Sequence, residues 1–116
     1  MSGLPGGFEI AYTAAARSDL TRLVEFLLDR AETLEDIAAA TALVDALDTY
    51  IVQRLSHNPF ICRKAGHDPF RRELVIPFPG DGYVALFAIE AEPGENKRGV
   101  VTVLALRHQR EEDYFA

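Results

Sequence analysis

A chain of 116 residues, 48% hydrophobic and 26% charged, has the size and balance of a single globular core and excludes a disordered polymer. Its formal net charge of −6 argues against broad, sequence-indifferent binding to nucleic acid, whose phosphates repel an acidic surface. The single cysteine, Cys62, precludes an internal disulfide, and no stretch approaches the ~18 uninterrupted apolar residues of a membrane span.

The charge is unevenly spread. Residues 1–60 carry four basic and nine acidic side chains, residues 61–110 carry eight basic and six acidic, and the last six add three acids. The acidity belongs to the first half, so a local cationic patch survives in the second.

Residues 1–7, Met1-Ser2-Gly3-Leu4-Pro5-Gly6-Gly7, read as a flexible lead-in, with residues 8–116 as one domain. They have neither the basic n-region nor the apolar h-region of a secretory signal, and the cytoplasm is the expected compartment. Phe8-Glu9-Ile10-Ala11-Tyr12 alternates like a short strand. Thr13 then suits an N-cap, because its hydroxyl can accept from an orphan N–H of the first turn. The spacing of Ala16, Leu20, Leu23 and Leu27 predicts a helix over 14–30, its apolar stripe widened by Val24 and Phe26.

Thr33 opens a second helix, with Asp36 as its capping-box partner. Ile37, Ala40, Val44, Leu47, Ile51 and Leu55 form its stripe, and Asn58-Pro59 stops it, since proline disfavours helical geometry in the residue before it. Leu43 and Tyr50 lie to one side, where they either complete the core or face a partner. The short link between the helices implies an antiparallel hairpin.

Strands are expected over 72–78, 83–89 and 100–106. Pro79-Gly80-Asp81-Gly82 and the polar run 92–97 serve as turns. The expected fold is therefore α+β: a short N-terminal strand and a two-helix hairpin packed on a mainly antiparallel sheet of three to four strands.

Phosphate-cradling glycine loops and serine or cysteine nucleophile motifs are absent from the sequence, and His57, His67 and His108 are scattered without ligand spacing. Neither metal nor cofactor is expected. The unusual feature is the apolar run 100–106, which delivers Arg107-His108-Gln109-Arg110 and then Glu111-Glu112-Asp113-Tyr114. Arg71-Arg72 opens an earlier strand. Arg71, Arg72, Arg107, His108, Arg110 and Tyr114 are thus the candidate partner-binding residues.

Read as an enzyme, the same region outlines a metal-free ribonuclease. His108 or Tyr114 would move protons, and Arg72, Arg107 or Lys64 would stabilise the phosphate. The plainer reading is surface solubility, with ion pairs to Glu73 and the acids at 111–113. In a simple meander the start of the first strand and the end of the third lie at opposite ends. Twist and long side chains would have to bring Arg72 and Arg107 together.

In order along the chain, Tyr12-Thr13-Ala14-Ala15-Ala16-Arg17-Ser18-Asp19-Leu20, Leu55-Ser56-His57-Asn58-Pro59-Phe60, Arg72-Glu73-Leu74, Tyr83-Val84-Ala85-Leu86-Phe87 and Val103-Leu104-Ala105-Leu106-Arg107-His108-Gln109-Arg110 resemble successive landmarks of the ParE/RelE toxin superfamily of type II toxin–antitoxin systems. The resemblance implies a compact sheet with a helical hairpin, plasmid-stabilisation biology and neutralisation by a cognate antitoxin. It leaves a homodimer open. ParE-like members act on DNA gyrase, whereas RelE-like members cut mRNA on the ribosome with a cluster of Lys, Arg and Tyr or His. Here lysines are nearly absent, and Glu111-Glu112-Asp113 would repel RNA. The long second helix and the His-Gln-Arg exit are more similar to the ParE branch. Gyrase binding, without chemistry, is the favoured expectation, and ribosome-dependent mRNA cleavage through Arg72, Arg107, His108 and Tyr114 is the alternative.

Overall fold

Thr13 turns the chain from strand into helix. Held extended, it accepts the Ala16 N–H on its hydroxyl at 3.1 Å, and α1 (Ala14–Arg30) runs from that cap. The computed structural model describes residues 7–78, 81–91, 99–111 and 114. The expected turns at 79–80 and 92–97, most of the N-terminal lead-in, and Glu112-Asp113 fall outside the described residues.

A complete capping box opens α2 (Leu34–Leu55). Thr33 Oγ1 accepts the Asp36 N–H at 3.0 Å, and the Asp36 carboxylate accepts N–H groups from Thr33 and Glu32. These reciprocal bonds satisfy donors that a helix start otherwise leaves open. The backbone bonds hold the Asp36 carboxyl below its ordinary pKa, Glu32's N–H contributing most.

The helices pack on one face of a sheet. Leu43, Leu47, Ile51 and Leu55 are fully buried, and each such side chain removed from water contributes about 1.5–3 kcal/mol. Leu43 therefore belongs to the core, while Tyr50 packs at its margin with the Arg54 guanidinium 4.9 Å from its ring. The apolar stripes are narrower than their spacing suggests. Ile37, Val44 and Phe26 are 44%, 39% and 48% exposed, because the sheet covers only one side of the hairpin; Arg30 lies over the Phe26 ring instead.

After α2 a single 3-10 turn (Pro59–Ile61) leads into the sheet. Its strands are β1 (Phe8–Tyr12), β2 (Arg63–Lys64), β3 (Arg71–Phe78), β4 (Asp81–Ala91) and β5 (Gly99–His108), in spatial order β1-β5-β4-β3-β2. β1 lies parallel to β5, and the other pairs are antiparallel. The architecture is the expected α+β, with one strand more in the sheet: β2 is too short for any alternation to announce it. β5 also runs longer than the apolar pattern, so Arg107 and His108 are its last two residues rather than its sequel.

β5 carries a bulge that decides where those residues point. Leu86 pairs with Ala105 and Phe87 with Val103, leaving Leu104 as the extra residue. Val101 and Val103 join the helix-side core, and so does Leu106, three residues on instead of two. Side chains alternate faces along a strand, and one inserted residue shifts that alternation. Without the bulge, Arg107 would share the face of Val101 and Val103 and point beneath the helices. With it, Arg107 faces the open side, and His108 stacks edge-on to the buried Tyr83 at 5.4 Å.

β1 ends at Tyr12, opposite Val103. Beyond that point polar side chains of α1 take over the edge of β5. Thr13 donates its N–H to Val103 O and its hydroxyl to Leu104 O. The buried Asp19 carboxylate accepts the Leu106 N–H at 2.9 Å, and Arg22 donates to Leu106 O. Backbone groups that a bulge and a short neighbouring strand would strand unpaired are thus satisfied.

Candidate functional site

Around the end of β5 the cations are drawn inward. Arg107 Nη1 donates to Glu111 O at 2.6 Å, with longer contacts to the carbonyls of His108 and Gln109. Its guanidinium lies 5.1 Å from the Tyr114 ring. The Tyr114 hydroxyl in turn donates to Glu73 Oε2 at 2.5 Å, while Glu73 pairs with Arg63 at 3.1 Å. A continuous series, Arg107–Tyr114–Glu73–Arg63, therefore crosses the open face from β5 to β2. Glu111 ties the same turn to α1: its carboxylate accepts both Arg22 Nη1 and the His108 N–H.

His108 stands on the other face. Its Nδ1 accepts the Arg110 N–H at 3.0 Å, which makes the imidazole part of the turn that ends the strand. The Arg110 side chain is exposed. Tyr114 resists ionisation: burial raises its pKa most, Glu73 raises it further, and Arg107 only partly offsets them. A phenol so held is a poor base, since forming the phenolate means placing a second negative charge beside Glu73.

Arg71 and Arg72, adjacent in sequence, play different parts. Arg72 turns to the helix side and donates to three carbonyls, Pro69 O at 2.8 Å, Cys62 O at 2.9 Å and Phe60 O at 3.1 Å. It also sits 5.6 Å from the Phe60 ring. It is a strut that pins the 3-10 turn and β2 to the start of β3. Arg71 is exposed on the opposite face, and Lys64, the register partner of Arg72, is exposed too.

The six candidates accordingly do not converge. Arg72 is level with Phe87 and hence Val103, whereas Arg107 is level with Val84 and hence Val75. The two arginines lie two strands apart, several residues apart along the sheet, and on opposite faces. Tyr114, reaching back to Glu73, links the two ends. Of the residues essential to this geometry, Arg22 carries no obvious sequence signal. Asp19 is visible as the acid of the Asp-Leu pair in the first helix, and Glu73 and Glu111 as expected ion-pair acids, but their partners prove to be Arg63 and Arg22.

The remaining chemistry is sparse. Burial pushes the Cys62 thiol pKa up, only partly countered by Arg72 and Arg54, so its reactive thiolate is disfavoured. Among the described residues no group of three His, Cys, Asp or Glu side chains is placed to hold a metal ion, and no helix is long and apolar enough to cross a membrane.

A search of curated proteins finds no match to this chain. The family model described as "ParE toxin of type II toxin-antitoxin system, parDE" matches residues 10–113, a span that takes in both helices, the bulged β5 and the Glu111 anchor. The chain belongs to the ParE toxin family of type II toxin–antitoxin systems.

Proposed function

We propose that this toxin arrests bacterial growth by binding DNA gyrase in the cytoplasm, and that a cognate antitoxin neutralises it. Family membership supports the toxin assignment. One observation favours binding over cleavage: the groups that would perform RNA cleavage are engaged in holding the fold. Arg107 serves backbone carbonyls, Tyr114 is hydrogen-bonded to a carboxylate, and His108 Nδ1 accepts a backbone N–H. A general base must be able to accept a proton and an electrostatic stabiliser must face the developing charge. Arg71 and Arg110, both exposed, are the candidate residues best placed for contact with a partner, with Arg72, Arg107, His108 and Tyr114 shaping the surfaces beside them.

Purified protein added to a gyrase supercoiling reaction should abolish supercoiling, and mRNA on programmed ribosomes should stay intact. Unaffected gyrase at saturating toxin would overturn the gyrase assignment, and site-specific mRNA cuts would replace it with ribosome-dependent cleavage. Co-expression of the product of the neighbouring reading frame should restore growth; no rescue by either adjacent frame would remove the cognate antitoxin from this reading.

A further inference from the structure

Residues 54–72 gather five basic side chains and one acidic one at the corner where the 3-10 turn, β2 and the start of β3 meet. Its surface is also apolar. Ile61 is 74% exposed, Phe70 49% and Phe60 37%, and the last two rings stack edge-on at 6.0 Å. Two neighbouring acids among the described residues are already engaged. Asp68 caps its own turn by accepting the Phe70 N–H, and Glu73 holds Arg63 and Tyr114. Lys64 and Arg71 form no ion pair among the described residues. Arg71 gains none from Glu90, two residues past its β4 partner Ala88. Lys64, on the face of Arg72, and Arg71, on the opposite face, bracket the β2 edge of the sheet. In a chain with 18 acids against 12 lysines and arginines, cations without an ion pair among the described residues, at an edge that also exposes aromatics, combine the two ingredients of a binding hot spot.

We propose that this corner is the surface by which the toxin meets its target, and that the target presents acidic side chains around an apolar pocket. This rests on the toxin reading above. Charge complementarity selects the sign of the partner. The most exposed apolar group selects its class: Ile61 is aliphatic and has no face on which a base could stack, so a protein surface suits the corner better than single-stranded nucleic acid. The net charge of −6 points the same way, since a polyanion would be repelled by the rest of the molecule.

The test is growth arrest on induced expression, comparing wild type with Ile61→Ser, Lys64→Glu and Arg71→Glu, singly and combined, and with Glu35→Gln on the acidic hairpin as a control. Thermal unfolding checks that each variant is folded; should the triple variant not fold, the two charge reversals at exposed positions carry the test alone. Folded corner variants should lose toxicity by about tenfold or more, the scale of a lost hot spot, with Lys64→Gln milder than Lys64→Glu. The control should arrest growth like wild type. Folded variants with full toxicity overturn the proposal. So does full toxicity with lost antitoxin rescue, which would give the corner to the antitoxin. Self-association of wild type that the variants abolish, with toxicity kept, also overturns it and makes a second copy the occupant. Wild type that fails to arrest growth overturns both this proposal and the toxin reading. Arrest with gyrase unaffected removes gyrase alone, and the corner is then judged by growth arrest as before.

Discussion

The end of β5 and the corner at residues 54–72 are both cationic, yet they use charge in contrary ways. At β5 each prominent polar group is tied to another part of the fold: Asp19 to Leu106, Arg22 to Glu111, Arg107 to the following turn, Tyr114 to Glu73. At the corner Arg72, Arg63 and Arg54 are so employed, while Lys64 and Arg71 are exposed to solvent. A cluster of charges in sequence is therefore no measure of what the surface offers. Charge next to an irregular strand end is recruited to satisfy backbone, because an unpaired buried N–H or C=O costs about 1–3 kcal/mol. Charge beside the short edge strand is recruited only in part: Arg72 serves three carbonyls and Arg63 a carboxylate, while Lys64 and Arg71 form no ion pair among the described residues.

The contrast can be broken most severely at the bulge. Inserting one alanine between Leu86 and Phe87, opposite Leu104, should pair the extra residue, drive Arg107 toward the core side and abolish cooperative folding, since a one-residue slip exchanges the faces of everything after it. A well-dispersed amide NMR spectrum from the insertion variant would show that the bulge does not sort these side chains. Next in size, Asp19→Ala should lower stability by about 2–3 kcal/mol in urea unfolding, the cost of leaving the Leu106 N–H and a charge-assisted bond unmade. Asp19→Asn, which keeps an acceptor, should lose less than the alanine variant.

The corner offers a matched pair. Arg72→Ala removes donors to three carbonyls and should cost about 2 kcal/mol, whereas Arg71→Ala should stay within about 0.5 kcal/mol of wild type, as exposed substitutions do. Equal effects from the two would erase the distinction between strut and exposed cation. The smallest effect is a titration. Burial first, and then a carboxylate partner, raise the pKa of both Tyr12 and Tyr114, with Asp48 and Glu73 as those partners. The neutral phenol is the form that the fold favours. Its contribution is thus fully present below the ordinary tyrosine value of 10.0 and is lost only as pH rises through the higher folded value. Absorbance at pH 10.5 should show Tyr12 and Tyr114 still largely protonated in the folded protein, one protected phenol fewer in Tyr114→Phe, and none protected in urea.

Much of this architecture can be read from residue order. The caps at Thr13 and Thr33, the hairpin, and the strands around Leu74, Phe87 and Val103 follow from local periodicity and local hydrogen-bonding chemistry. What cannot be read is long-range. No periodicity reveals that Leu104 is an extra residue, because Leu104 and Leu106 look equally apolar; which one faces the helices depends on the partner strand. Nor does sequence distinguish Arg71 from Arg72, whose fates are set by strand parity and by carbonyls near Phe60 and Cys62. The two-residue β2 exists only because β3 is there to pair with it.

The placement of β1 carries a consequence for how the molecule comes into being. The first strand finds its neighbour in the last, and the bond between Thr13 and Leu104 joins groups 91 positions apart. Contacts of such separation require a large loop to close before they return any stabilisation, and they slow folding. During synthesis the nascent chain holds its helices and its first four strands in chain order without the strand that stands between β1 and β4 in the sheet. β4, β3 and β2 pair among themselves, but β1 has no place in the sheet until the ribosome completes β5, and any product truncated ahead of it lacks an interior strand of the fold.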